Sequence, residues 1–346
     1  MEVRGRMRNR RLVVGMVITM WGCLLGMRVK PVLGQSNFPG FGPLPVRNFQ
    51  PVQLLFLYLP FEGTTLTPQG HWALSFGLAE SNTINETIDR AENTSLLFDL
   101  ETTRFTLGAR YGVLPRVELG VEIPFIARWG GFLDRFIEGV ERVVNKLNPA
   151  RKRGPVNTVR FHLQRNGELI FSRGESALGI SDLVLSGKGL LWEEGETYPA
   201  LAARLQIKLP TGDEERLLGS GKTDIGVGLV AQKTLWRFTL YSNLNYIMPG
   251  EVFAGKGLET RNFFTAALGI EYRWTSHFSL LGQAEYYQSP FTDTGLEELD
   301  QSLWEISFGF NWALGSHLLW QLGGIQNLVV APAADFSFQS HLVYQF

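Results

Sequence analysis

Few residues in this chain have types and spacing that invite chemistry. Gly219-Ser220-Gly221-Lys222-Thr223 ends like a phosphate-binding loop, whose glycine N–H groups and lysine cradle phosphates. Arg216 stands where that motif needs its first glycine, and a strand pattern follows where a helix must begin, so the segment is not read as a nucleotide site. Gly174-Glu175-Ser176-Ala177-Leu178 lacks the second glycine of a nucleophile elbow. His71, His162, His277, His317 and His341 are scattered, without the paired spacing of zinc ligands. No catalytic residue, metal site or cofactor is expected. A formal net charge of -1 over 346 residues gives no sign of a nucleic-acid partner.

The elements that would carry any site are more legible. Past Gly70 the chain alternates apolar and polar residues in segments about ten to fourteen long, the period of strands. Phe264, Ala266, Leu268, Ile270, Tyr272 and Trp274 share one face. Trp304, Ile306, Phe308, Phe310, Trp312 and Leu314 do the same further on, opposite Glu305, Ser307, Gly309 and Asn311. Such faces are too apolar for water. About twelve segments are counted, starting near His71, Arg104, Arg116, Ile180, Ala200, Thr223, Arg237, Asn262, His277, Ser302, His317 and Asp335, an even number as bacterial barrels require. Tight joints such as Val113-Leu114-Pro115, Thr275-Ser276 and Gly315-Ser316 alternate with long connections at 81–102, 126–179, 210–222, 249–261 and 288–301. The fold expected is an all-β, antiparallel up-and-down transmembrane β-barrel with a helix-containing long extracellular loop. Trp274, Trp312 and Phe346 at one end of the strands, and Tyr246, Tyr286 and Trp304 at the other, would form its interfacial girdles.

Arg4, Arg6, Arg8, Arg10 and Arg11 precede an apolar run from Leu12 to Met27, and small Gly34 precedes Gln35, which is the order of a secretory signal. Residues 1–34 are therefore read as a signal peptide, 35–69 as an N-terminal periplasmic segment, and 70–346 as the barrel, with 126–179 a helix-plus-hairpin insertion. Cys23, the single cysteine, lies inside the leader, so the processed chain would carry no thiol. Within the insertion, Phe136, Ile137, Val140, Val143 and Val144 recur at helical spacing, and Asn166-Gly167 joins two short strands with a strong hairpin signal.

If the apolar faces meet lipid, the opposite faces turn Arg104, Arg110, Lys188, Arg204, Lys208 and Arg273 inward, together with Glu118, Glu122, Asp182, Asp224, Glu271, Glu285 and Glu305. The near balance of sign suits a water-filled pore and equally suits a lumen plugged by ion pairs.

Three blocks carry a resemblance. Gly42-Pro43-Leu44-Pro45-Val46-Arg47-Asn48-Phe49-Gln50-Pro51 and Phe132-Leu133-Asp134-Arg135-Phe136-Ile137-Glu138 resemble a bacterial family catalogued as a domain of unknown function and regarded as outer-membrane-barrel-like. Lys208-Leu209-Pro210-Thr211-Gly212-Asp213, with Leu218-Gly219-Ser220-Gly221 and Asp224, is shared with other outer-membrane transport barrels. The terminal series Phe336, Phe338, Leu342, Tyr344 and Phe346 is similar to the closing strand of outer-membrane proteins, which implies recognition by the barrel assembly machinery. The resemblance implies a place in the bacterial outer membrane with lipid as partner, and assigns no solute. A channel or porin-like route for a small solute of unknown identity is the first expectation. A membrane-embedded lipid hydrolase and a structural or adhesive barrel with a plugged lumen are the alternatives.

Overall fold

The structure, a computed structural model, describes residues 40–89, 93–130, 159–328 and 336–346. The expected leader, the Phe132–Glu138 block and the loop-helix residues Phe136, Ile137, Val140, Val143 and Val144 lie outside the described residues.

The strands are β1 (Trp72–Asp89), β2 (Thr94–Leu114), β3 (Val117–Trp129), β4 (Arg160–Arg165), β5 (Glu168–Arg173), β6 (Ala177–Ile180), β7 (Leu183–Trp192) and β8 (Ala200–Leu209), followed by β9 (Asp224–Leu235), β10 (Phe238–Met248), β11 (Phe263–Arg273), β12 (Phe278–Tyr287), β13 (Leu303–Ala313), β14 (Leu318–Asn327) and β15 (Phe336–Gln345). Twelve of these fifteen strands close a barrel. Every neighbour is antiparallel, β3 pairs directly with β7, and β15 returns to β1. Trp72 and Phe346 exchange both backbone hydrogen bonds at 3.1 and 3.0 Å and seal the last seam. Closure leaves no edge unpaired, the condition for strands in a membrane.

The alternation fixes which face looks out. Leu74 and Phe76, Val227 and Leu229, and Phe308 and Trp312 are exposed, while Ser307, Asn311, Ser279 and Thr239 beside them are buried. Trp72, Trp236, Trp274, Trp312 and Phe346 stand exposed around the end carrying the tight turns. At the loop end Tyr246 is exposed, whereas Tyr286 is covered by Phe264 and Trp304, with ring centroids 5.4 and 5.1 Å away. No helix among the described residues is long and apolar enough to cross a membrane.

The structure departs from expectation at three places. Residues 81–102, read as a loop, continue the β1–β2 ladder, with Asn82–Asp89 paired to Thr94–Glu101. Ser81, Asn82, Thr83 and Asn85 put polar groups on both faces there, so no lipid-facing stripe announces the extension, which projects past the barrel. The strand expected from Ile180 is interrupted. β6 pairs with the loop end of β3 and β7 with its turn end, and the break at Ser181-Asp182 lies beside Pro124, which has no N–H to give but accepts one from Ser181 at 2.8 Å. The third departure is the largest. The described part of the segment assigned to the periplasm runs inside the barrel.

The expected hairpin is present. β4 and β5 turn at Asn166 and Gly167, whose φ of 50° and 82° give the paired positive values of a tight hairpin turn. β4 adds to the β2 extension. Phe98, Phe161, Leu163 and Phe171 from this flap join Leu217, Val252, Phe291 and Leu299 from the long loops in one buried apolar cluster. It caps the loop end. Leu299 is carried by the short helix α1 (Glu297–Asp300).

A charge placed on the outer face tests the orientation. Phe308→Arg, midway along β13, is expected to lower folding stability in lipid vesicles by about 2–4 kcal/mol, and Trp236→Arg, in a tight turn, by no more than about 1 kcal/mol, since the cost falls toward the interface. Equal costs in urea titrations would contradict the assignment of faces.

Candidate functional site

The interior is occupied by residues 40–69, folded as an irregular hairpin along the bore. The rising arm begins near the turn end, where Phe41 N–H donates to Glu271 at 3.1 Å and the Arg273 guanidinium lies 4.6 Å from the Phe41 ring centre. It continues through Gly42, whose carbonyl accepts from Asn311 at 2.8 Å, and Leu44, whose N–H donates to Gln283 at 2.6 Å. The apex is a single 3-10 turn, Gln53–Leu55, whose leading N–H groups are capped in advance. Gln50 N–H donates to Asn48 Oδ1 at 2.8 Å, and Val52 and Gln53 N–H donate to Gln50 Oε1 at 2.8 and 2.9 Å. Arg47 ties the arms together by donating to Phe56 O at 3.1 Å.

The descending arm passes Leu57, which donates to Asp224 at 2.8 Å, and Glu62, which exchanges hydrogen bonds with Asn243 at 3.2 and 2.8 Å. It ends at Thr67, donating to Glu118 at 2.7 Å, before the chain enters β1. Five prolines, Pro43, Pro45, Pro51, Pro60 and Pro68, remove donors that the segment could not satisfy by itself. Most of the segment is buried or half-buried, its N–H and C=O groups need partners, and inward side chains supply many of them.

The thirteen residues expected to face inward divide by what they meet. Lys188 forms ion pairs with Glu62 and Glu118, both at 3.0 Å, and donates to the carbonyls of Gly63 and Thr65. Arg204 reaches Glu62 and the Pro60 carbonyl, each at 2.6 Å. Lys208 lies between Asp182 at 3.3 Å and Asp224 at 2.9 Å and donates to Leu55 O. Arg104 pairs with Glu122 at 2.6 Å, while Arg110 comes no nearer than 3.9 Å to Glu118. Glu271 and Arg273 hold Phe41, as described. Among the described residues Glu285 and Glu305 are not brought to a counter-charge: they face each other across β12 and β13, and Glu285 accepts from Gln283 and Ser307 instead.

The Lys208–Asp213 and Leu218–Asp224 blocks now have a structural reason. Asp182 accepts from Gly212 N–H at 2.9 Å and Ser220 N–H at 2.8 Å, clamping the connecting loop to the strand break. A Cβ on Gly219 would overlap Asp182. The glycines are spent on close approach, not on phosphate.

Sequence reasoning missed Glu62, because its segment was read as lying outside the barrel. It also missed the amide set Gln232, Asn243, Gln283, Asn311 and Gln321, which hold the hairpin backbone without charge. The available signal was the density of Asn and Gln on the inward faces of β9 to β14, since a merely hydrated lumen does not call for amides that donate and accept at once.

Two histidines touch a serine: His162 lies 3.1 Å from Ser95, and His277 2.8 Å from adjacent Ser276. Neither contact includes a carboxylate. Among the described residues no group of three or more His, Cys, Asp or Glu is arranged to hold a metal.

Two voids remain between the hairpin and the wall made by β15, β1, β2, β3, β7 and β8, of about 80 Å³ beside the apex and about 230 Å³ toward the turn end. Pro45, Pro60, Glu122, Val184, Gln206 and His341 border both. A third, of about 320 Å³, lies at the loop end by Arg128, Arg173 and Arg216.

A closed antiparallel barrel with an apolar outer belt, aromatic girdle and polar interior is an outer-membrane β-barrel. The chain belongs to the family DUF3187, proteins of unknown function, whose model matches residues 24–346. No curated protein matches it in sequence. Among solved structures it is similar to the COG4313 outer membrane channel from Pseudomonas putida F1, at 14% identity and a TM-score of 0.53, covering 82% of this chain and 98% of that one. It is also similar to the NanC porin, at 7% identity and a TM-score of 0.44, covering 79% and 98%. A third is the toluene transporter TodX of Pseudomonas putida, at 9% and 0.39, covering 87% and 98%.

Glycines on the inner wall are sockets for the hairpin. A Cβ on Gly226 would overlap the Leu59 side chain. Gly226→Val is expected to leave the barrel folded, with its heat-dependent shift in gel mobility, while exposing the hairpin, so that a cysteine placed at Leu59 reacts with a water-soluble maleimide at least about tenfold faster. Unchanged labelling would show that the socket does not hold the arm.

Proposed function

We propose that this protein is a non-enzymatic, gated channel of the bacterial outer membrane for a small solute, and that its gate is the internal hairpin. The observation that carries this reading is the chemistry holding the hairpin. Beside the apolar contacts of Leu44, Phe61 and its apex, it is bound to the wall by many hydrogen bonds and ion pairs that water can replace, and it leaves a bordered line of voids along one side. Arg104, Arg110, Glu118, Glu122, Lys188 and Arg204 line that side and would border the solute's path. Glu271, Arg273, Asp182, Asp224 and Lys208 anchor the arms and apex. Glu285 and Glu305 would tune the opposite wall. The fold shared with an outer membrane channel supports the reading. The exposed terminal Phe346 suits recognition by the barrel assembly machinery.

The filled lumen also supports a second reading, a structural barrel that stays closed. Planar-bilayer recording separates the two. The intact protein is expected to show rare, brief openings, a variant lacking residues 42–65 steady open steps, and Glu62→Gln an intermediate opening frequency, because breaking a buried ion pair strands the partner charges at a cost of about 3–5 kcal/mol. Silence in all three would establish the closed barrel and end the channel reading.

A further inference from the structure

We infer that the turn-end void is a binding site for a small organic monocarboxylate, with Arg110 as the residue that receives the carboxylate. This rests on the channel reading and names its solute class.

The accounting of charge around the void leads to Arg110. Three cations, Arg110, Lys188 and Arg204, and three carboxylates, Glu62, Glu118 and Glu122, line the void, and a fourth cation, Arg104 on the adjoining void, is ion-paired to Glu122. Each carboxylate is already held at hydrogen-bond distance by a cation other than Arg110: Glu122 by Arg104 at 2.6 Å, Glu62 by Arg204 at 2.6 Å, and Glu118 by Lys188 at 3.0 Å. The surplus charge therefore sits on Arg110. Its only approach to a carboxylate among the described residues is the 3.9 Å contact with Glu118, too long for a hydrogen bond.

The setting supplies the remaining specificity. The Arg110 side chain, which lines the void, is 34% exposed, against 4% for Glu118 and 5% for Lys188, so its donors are accessible while the polar groups of Glu118 and Lys188 are committed. A guanidinium presents five N–H groups in a planar fork that matches a carboxylate with two parallel hydrogen bonds. Ser75 and Ser186 add hydroxyls on the wall side. Beside Glu62, the hairpin presents apolar Phe41, Pro43, Pro45 and Phe61 to the void and gives an organic body a surface to rest on. One surplus positive charge matches one negative charge. Glu118 and Glu122 beside Arg110 would repel a dianion such as phosphate.

The test is equilibrium binding to the full-length processed protein refolded in detergent micelles, followed by fluorine NMR. The probes are para-fluorobenzoate and its neutral amide. The acid is expected to saturate and to bind at least about tenfold more tightly than the amide, as expected for charge-assisted hydrogen bonds. Arg110→Gln is expected to abolish that preference. Arg116→Gln, at an exposed turn pairing with Glu193, is expected to retain it. Glu118→Gln, which removes the carboxylate nearest Arg110, is expected to tighten binding of the acid severalfold, and it carries the test if Arg110→Gln fails to fold. Equal binding of acid and amide, or no response to either luminal substitution, overturns the assignment. Binding is read without current, so a protein that binds the acid and never conducts ends the channel reading alone, and one that conducts without preferring the acid ends this one alone.

Discussion

An irregular stretch of backbone has been placed inside a closed barrel, and every peptide group on it must find a partner there. Strands satisfy their own ladders, but residues 40–69 have one short 3-10 turn and otherwise no regular pairing. A buried, unpaired N–H or C=O costs about 1–3 kcal/mol, so roughly thirty residues left unsatisfied would outweigh the stability of any domain. The wall therefore carries an amide or an ion at many of the places where the hairpin turns a backbone group toward it. Gln283 both accepts from and donates to Leu44, and Asn243 does the same for Glu62. The polar lumen is the complement of this one segment.

The same constraint explains the pattern of small residues. An arm lying against the wall needs room as well as partners, and Gly226, Gly269, Gly309 and Gly323 lie under Leu59, Phe61 and Leu44. Bulky side chains on the hairpin meet glycines on the strands, and short inward polar residues meet its carbonyls. Strand glycines weaken a ladder by themselves, so this many on one face signals close approach of another chain segment.

That account also shows what the sequence could and could not disclose. The barrel, its strand count and the sides of its loops were legible because lipid imposes period two on every spanning strand, as in Trp304 to Leu314. The β1–β2 extension was not, because Ser81 to Asn85 put polar residues on both faces and lose that pattern. The inward charges could be proposed because alternation sets the parity of a strand. Their partners could not be named. Glu62 and the Gly42–Pro51 block carry no periodicity, and nothing local distinguishes an extended, proline-rich segment in the periplasm from one threaded through a lumen. Only the density of Asn and Gln facing inward recorded its presence.

The hairpin is not held equally along its length. Its apex, with Leu55, Phe56 and Leu57, belongs to the apolar cluster under the loop-end cap, where contact with water would cost about 25 cal/mol for each Å² exposed. Toward the turn end Leu44 and Phe61 join a smaller apolar cluster with Tyr241, Ala267 and Leu281, and the remaining contacts of the arms are polar ones, of which a hydrogen bond exchanged for one to water changes the balance by only about 0.5–1.5 kcal/mol. The turn-end portion is thus the easier part to displace, and the larger of the two voids beside the arms lies there. The two ends of the hairpin are therefore held by different balances of the same forces: hydrocarbon dominates at the apex, while toward the turn end polar contacts are joined by a smaller apolar cluster and by the pairing of Gln69 with Gly112 where the chain enters β1.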